Sequence, residues 1–381
     1  MTREGLCKSR SARPFPAFVA AWVLIAAIFY VAPVQGVIFL STADPEHNAT
    51  PPGGELAGSG WDLQGSWGAF LGTPIGAQYF ITAKHFGGAV GGLFSLHGVA
   101  YDTVAFYDDP ESDLRVWKIR GRFPAFAELY SRSDEVGKSL VVFGRGTQRG
   151  DEVFRSGLTG SALKGWRWGV ADGRMRWGEN QVGGIARQNL GAMTGGTASV
   201  LEPSESLQIP FDSRGGPNEA HLSAGDSGGG VFIQDGAAWK LAGINYVVDG
   251  PYNTTVDGAG FQAALFDEGG LFKGGEGKWT RIPNSIADIP SSFYATRISA
   301  RLTWINGVLA QNPSRDGPIL QSAQALDEPF TDEPDASVDA FARVVTLPEP
   351  AGVRFYRLVG VATLRIAGVT VQNGNLVLRY Q

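Results

Sequence analysis

Short apolar runs separated by glycine clusters dominate this chain from Trp67 onward, and no other feature restricts its fold as strongly. Gln78-Tyr79-Phe80-Ile81-Thr82, Leu114-Arg115-Val116-Trp117-Lys118-Ile119, Leu140-Val141-Val142-Phe143, Val231-Phe232-Ile233-Gln234 and Leu241-Ala242-Gly243-Ile244 are examples. Each is short for a helix and rich in β-branched or aromatic side chains, so each reads as a strand. The 53 glycines suit the tight turns between them, because glycine takes positive φ at little steric cost. The expectation is an all-β sandwich or barrel. Trp166–Trp168 and Met175–Trp177, joined through Ala171-Asp172-Gly173, read as a hairpin. Asn373-Gly374, between Val369-Thr370-Val371 and Leu376-Val377-Leu378, signals a second one. One helix is predicted, over about Ser299–Ala310, where Ile298, Leu302, Ile305 and Leu309 form an apolar stripe closed by Gln311-Asn312-Pro313.

Composition divides the chain. Residues 1–36 carry Arg3, Lys8, Arg10 and Arg13, then an apolar run from Phe15 to Val34 and a small-residue pattern, Val34-Gln35-Gly36. This reads as a cleaved signal peptide, with a retained membrane anchor as the other reading. The protein is therefore expected to be secreted, or held in the periplasm or cell envelope, touching a membrane only if that segment is retained. The single cysteine, Cys7, falls inside the signal, so no disulfide is expected beyond it. Residues 37–66, rich in Pro, Gly, Ser and Asn, read as an extended arm. Residues 312–345 hold Asp327, Glu328, Asp332, Glu333, Asp335 and Asp339 among prolines, and read as a solvated acidic linker. Residues 346–381 read as a small β-hairpin appendage. The net charge of −5 and the lack of any Lys/Arg block exclude a nucleic-acid binder. Nothing asks for an oligomer, so a monomer is expected.

Three motifs carry chemistry. Gly225-Asp226-Ser227-Gly228-Gly229-Gly230 surrounds a hydroxyl with glycines, letting the backbone turn sharply and aim N–H groups at one point. A serine needs a base to become a nucleophile, and the attacked carbonyl oxygen needs donors. Ile81-Thr82-Ala83-Lys84-His85 offers an imidazole at a strand end. His47 and His97 sit in the arm and in a glycine-rich loop with no motif around them. Asp113 opens the strand Leu114–Ile119 and can hold an imidazole in its working tautomer; Asp102, Asp108 and Asp109 are rivals.

Together these segments resemble the trypsin/chymotrypsin type of serine protease, in the disulfide-free form found in bacteria. Gly72 to His85 resembles the family strand ending Thr-Ala-Ala-His. Asp113–Ile119 resembles Asp-Ile-Ala-Leu-Leu-Lys-Leu, and residues 225–230 resemble Gly-Asp-Ser-Gly-Gly-Pro. Phe293–Ile298 with Trp304-Ile305 resembles the closing Val-Tyr-Thr-Arg-Val and Trp-Ile helix. The resemblance spans about residues 67–311 and implies two six-stranded antiparallel β-barrels with a C-terminal helix. It implies Ser227 as nucleophile, His85 as general base, Asp113 as its orienter, and the N–H groups of Gly225 and Ser227 as an oxyanion hole. The implied reaction is peptide-bond hydrolysis of a protein or peptide substrate through an acyl-enzyme, with no metal or cofactor. A catalytically inactive protease-like binding module at the cell surface is the alternative, and the filled triad speaks against it.

The chain departs from the family at several positions. Lys84 replaces a small residue and Gly230 a proline. His221 stands where the family places the floor of its specificity pocket, with Tyr246 and Val248 on another wall. His221 either favours acidic or neutral polar side chains or is a wall residue with no selective role; cleavage after Arg or Lys is expected to be poor. The activation sequence Ile-Val-Gly-Gly is absent. Cleavage after Gly36 would free Val37-Ile38 to pair with Asp226, while pairing of Asp226 with an internal Arg or a hydrogen-bond donor is the preferred reading.

Overall fold

The computed structural model describes residues 36–157, 160–188, 204–275, 277–311, 318–333, 335–339, 342–359 and 364–381. The segment read as a signal peptide falls on residues 1–35, with Cys7, outside the described residues. Among those described, no helix is long and apolar enough to cross a membrane.

The expected all-β architecture holds. A short strand β1 (Ile38–Phe39) precedes a closed antiparallel barrel of six strands. These are β2 (Gly65–Trp67), β3 (Phe70–Gly76), β4 (Tyr79–Ala83), β5 (Leu93–Leu96), β6 (Val99–Asp108) and β7 (Leu114–Ile119). Their order around the barrel is β2-β3-β4-β7-β6-β5. The period-2 alternation of strands explains how β4 and β7 come to be buried on both faces. Phe80, Trp117 and Ile119 point into the barrel with Phe94, Tyr101 and Phe123. Their neighbours Tyr79, Ile81, Leu114 and Val116 pack the other way, against Val141, Phe143, Phe232 and Ile305. Gly65 pairs with Gly72 across β2 and β3. A Cβ at Gly72 would lie 2.9 Å from the Phe80 ring and one at Gly65 would strike Phe94, so this glycine pair makes room for the Phe80–Phe94 stack.

The second half begins with β8 (Ser139–Gly144), β9 (Thr147–Gly157), β10 (Gly160–Ala171), β11 (Arg176–Gln181), β12 (Gly184–Gln188) and β13 (Ser204–Pro210). β14 (Ala220–His221), β15 (Gly230–Asp235), β16 (Ala238–Val248), β17 (Tyr252–Asn253) and β18 (Ala263–Leu265) follow. β19 (Phe272–Lys273), β20 (Thr280–Arg281), β21 (Ser292–Arg297) and helix α1 (Leu302–Gln311) close it. Its main antiparallel sheet has seven strands, one more than expected, in the order β11-β8-β15-β16-β21-β13-β12. The predicted helix is present, with Ile305 and Val308 buried against the seam between the halves.

Two local expectations are corrected and a third is refined. The stretches Trp166–Trp168 and Met175–Trp177 do not form a hairpin: β10 pairs with β9 and β18, while β11 pairs with β8. The turn residues lead from one sheet to the next instead of back along the same strand. The arm 37–66 is anchored at both ends, although most of residues 41–58 are exposed. Val37, Ile38 and Phe39 are buried, and β1 pairs with β14 through Ile38 and His221. Trp177 Nε1 donates to Thr50 O at 2.9 Å, and Gly65–Trp67 is already barrel. The acidic segment 312–345 carries strands. β22 (Ile319–Ala323) is buried throughout and pairs with β23 (Thr331–Asp332) and β26 (Phe355–Val359). Two of its acids have partners: Gln321 Nε2 donates to Asp332 Oδ1 at 2.6 Å, and Arg354 lies 3.5 Å from Glu333. β24 (Ser337–Asp339) and β25 (Val344–Pro348) join β27 (Ile366–Gln372) and β28 (Asn375–Tyr380) in a four-stranded sheet. Leu320, Val345, Leu347, Leu376 and Leu378 form its core. The β27–β28 hairpin turns at Asn373 (φ 51°) and Gly374 (φ 75°), as the sequence predicts.

Candidate active site

Strand register brings His85 to Asp113. Ala83 on β4 is paired with Leu114 on β7, and one residue beyond, Lys84 N–H donates to Asp113 O at 2.7 Å. The Asp113 carboxylate is buried and accepts twice from His85: from its backbone N–H at 2.9 Å and from Nδ1 at 2.6 Å. A carboxylate can only accept, so Nδ1 carries the proton and Nε2 presents its lone pair. Ser227 Oγ lies 3.0 Å from that Nε2. The rival acids are elsewhere. Asp108 is paired with Arg115, Asp102 is exposed, and the buried Asp109 takes Arg301 at 2.7 Å and Ser112 Oγ at 2.6 Å.

Lys84 has a defined place. Its Nζ donates to the carbonyls of Asp109 and Ser112, each at 2.7 Å. The cation therefore ties the histidine's own segment to the loop that delivers Asp113. No sequence motif announces this contact, nor the Arg301–Asp109 pair from the start of the closing helix.

The serine loop is built on a buried carboxylate. Gly144 and Gly146 leave no room for a Cβ beside Asp226. Asp226 Oδ1 accepts from Gly146 N–H at 2.6 Å and from Val37 N–H at 3.4 Å, and Oδ2 accepts from Ser223 N–H at 2.7 Å. Burial pushes the Asp226 carboxyl up to about 6, against the opposing pull of these donors. Among the described residues no cation pairs with it; two of these backbone donors lie in the second half, and the third, Val37 N–H, is the group that cleavage after Gly36 would free. Asn245 locks the next turn: its Nδ2 donates to Phe143 O at 2.8 Å and Asp226 O at 3.0 Å. Gln64 Oε1 accepts from Gly230 N–H at 3.0 Å. Neither amide had a sequence signal. Gly225 and Gly228 hold φ of 98° and 80°, which explains the glycines. Among the described residues no acceptor takes the N–H of Gly225 or Ser227, so both are free for an incoming oxygen.

Beside Ser227 opens a cavity of about 210 Å³. Leu222, Ala224, Tyr246, Val247 and Val248 wall it, with Trp168 and Gln262 alongside. Tyr246 and Val248 are both among its walls. His221 does not line it. It is fully buried behind Leu222, with Nδ1 2.7 Å from Leu222 O and Nε2 3.3 Å from Ser291 Oγ. The reason is β14's pairing with β1, which turns His221 toward Phe211 and Phe293. Burial pulls its pKa down to about 4, so it is neutral at neutral pH and has no charge to offer an acidic side chain. Among the described residues no group of three or more His, Cys, Asp or Glu is placed to hold a metal ion.

No protein-family model matches the chain, and no curated protein matches it in sequence. Among solved structures the chain is similar to a crystal structure of Rv3671c from M. tuberculosis H37Rv, a serine-to-alanine mutant in inactive form. That match has 13% identity, a TM-score of 0.39, and covers 74% of this chain and 100% of that one. A second crystal structure, of the Rv3671c protease in inactive form, has 14% identity and a TM-score of 0.38 over the same shares of the two chains.

Proposed function

We propose that this chain is a serine endopeptidase acting on protein or peptide substrates outside the cytoplasm. The observation that carries the reading is the unbroken line from buried Asp113 through His85 to Ser227, with contacts of 2.6 and 3.0 Å. His85 Nε2 takes the Ser227 proton as Oγ attacks the scissile carbonyl. Asp113 holds the tautomer and stabilises the imidazolium. The N–H groups of Gly225 and Ser227 receive the oxyanion, an interaction worth about 10²–10³ in rate for each donor. His85 then protonates the leaving amine, and water repeats the sequence on the acyl-enzyme. The cavity beside Ser227 brings no unpaired charge to a substrate side chain, since Asp226 is already engaged by backbone N–H groups. The reading therefore includes cleavage after uncharged residues.

A peptide-library digest tests it. Cleavage after uncharged side chains, absent in Ser227→Ala, is the expected result. Dominant cleavage after Arg or Lys would overturn the preference, and equal cleavage by Ser227→Ala would overturn the assignment.

A further inference from the structure

Strand β27 (Ile366–Gln372) is a free edge of the C-terminal four-stranded sheet. A free edge offers unpaired N–H and C=O groups to any other strand, and charged side chains are the usual guard against such pairing. Among the described sheets, every other edge strand longer than three residues carries charge: Arg155 on β9, Glu179 on β11, Arg187 on β12 and Arg357 on β26. The opposite edge of the same sheet, β24, is three residues long and ends on Asp339. β27 reads Ile-Ala-Gly-Val-Thr-Val-Gln, with no charge and no proline. Its side chains are also left uncovered. Val369 and Val371 pair with Leu378 and Leu376, which pack against Leu320 on β22 and Leu358 on β26 and are buried. Each valine is nevertheless 54% exposed, because the facing sheet stops short of β27.

The hairpin geometry fixes which way the backbone faces. Asn373 and Gly374 form a two-residue turn, so the flanking pair Gln372–Asn375 exchanges hydrogen bonds, and so does the second pair on, Thr370–Val377. The N–H and C=O groups of Val369 and Val371 therefore point off the sheet edge. The same two residues thus leave both backbone and side chain without a partner. We propose that this edge pairs with β27 of a second copy of the chain, antiparallel about Thr370. In that register Val369 lies opposite the partner's Val371, and Val371 opposite the partner's Val369. Each of these pairs exchanges both its N–H···O bonds, and four exposed valines cover one another. A strand without charge meets its own copy without repulsion. The two-fold pairing uses each edge once, so the assembly closes at two copies. Five residues a side bury less than the ~1,200 Å² of a stable complex, so the association is weak. Composition carries no sign of an oligomer; the sheet edge does. Arg120, just beyond the end of β7, lies 3.8 Å from Asp332 on β23, whereas Asp113 immediately precedes β7. That contact is a strand's length, about 20 Å, from the candidate active site.

Cross-linking tests the register. In the full chain with Cys7→Ser, Thr370→Cys places a thiol opposite its own copy at a Cα separation of about 4.5 Å, within reach of a disulfide. Gln372→Cys would stand about 13 Å from its copy, out of reach. With oxidised glutathione, Thr370→Cys is expected to form linked dimers about tenfold faster than Gln372→Cys. Sedimentation of the wild-type chain should move from monomer toward dimer between about 5 and 500 µM. Val369→Lys combined with Val371→Lys should abolish that shift with no change in melting temperature. A monomer over the whole range, a dimer that survives the two lysines, assemblies larger than two, or equal cross-linking at positions 370 and 372 would each overturn the inference. None of these readouts involves Ser227.

Discussion

The two halves of this molecule deliver their parts of the candidate site by different physical means. The closed barrel supplies His85 and Asp113 from the ends of neighbouring strands, and the β4–β7 register brings them together. Its interior is aromatic and apolar. The second half supplies Ser227 from a glycine loop wrapped around a buried carboxylate, with His221 and Glu219 also buried nearby in sequence. That loop needs a distant segment, since Val37 N–H reaches Asp226 across the chain. The comparison teaches that strand register places His85 against Asp113, while the surroundings of Ser227 hold buried carboxyls and should respond to pH.

The largest effect is expected where the first half contributes charge and not shape. Asp113→Asn keeps the volume but lets the wrong nitrogen of His85 carry the proton. We expect kcat to fall about 10³–10⁴-fold with no change in melting temperature. Steady-state kinetics and thermal unfolding on the same preparation check this. A matching loss of stability would mean that Asp113 acts through the fold.

Next in size is the pH response of the second half. Burial pushes Glu219 up to about 8 and Asp226 up to about 6. For a carboxyl raised on folding, stability is fully present below its unfolded value and is lost as pH rises through the folded one. Glu219 should therefore cost stability progressively between pH 4.5 and about 8. Glu219→Gln should remove that slope and leave the variant more stable than wild type at pH 8–9, by about 2–4 kcal/mol. His221, pulled down to about 4, acts with the opposite sign, costing stability as pH falls from 6.5. Urea unfolding across pH separates these contributions. A wild-type profile that is flat from pH 5 to 9 would break the contrast between the halves.

Smaller again is Lys84→Met, which removes the tie between the His85 segment and the loop of Asp109 and Ser112. A drop of about tenfold in kcat with KM held is expected if the cation positions Asp113. Lys84→Arg should recover part of it. An equal effect on stability and none on kcat would assign Lys84 to the fold alone.

What was legible in the sequence follows from how local each signal is. Ser227, His85 and Asp113 stand in motifs whose glycines and strand ends have local causes, and the structure brings the three together from widely separated segments. Asn373-Gly374 was legible because positive φ at two successive residues determines the turn. The Trp166–Trp177 hairpin failed because a turn signal says that the chain bends, not which strand it meets next. The acidic segment 312–345 was misread because its charge outweighed the short apolar run Ile319–Ala323, which is buried throughout and pairs with β23 and β26. His221 could not be placed from sequence because its burial depends on β1, more than 180 residues earlier in the chain. Lys84, Gln64 and Asn245 act through backbone carbonyls and amides, which leave no side-chain pattern to read.

The central claim is that Ser227 is an activated nucleophile. Reaction of the purified chain with a fluorophosphonate, followed by peptide mass mapping, tests it most directly. The account predicts a single phosphonylated peptide modified at Ser227, lost in Ser227→Ala and strongly slowed in His85→Ala. No labelling, labelling at another residue, or equal labelling of Ser227→Ala would contradict it.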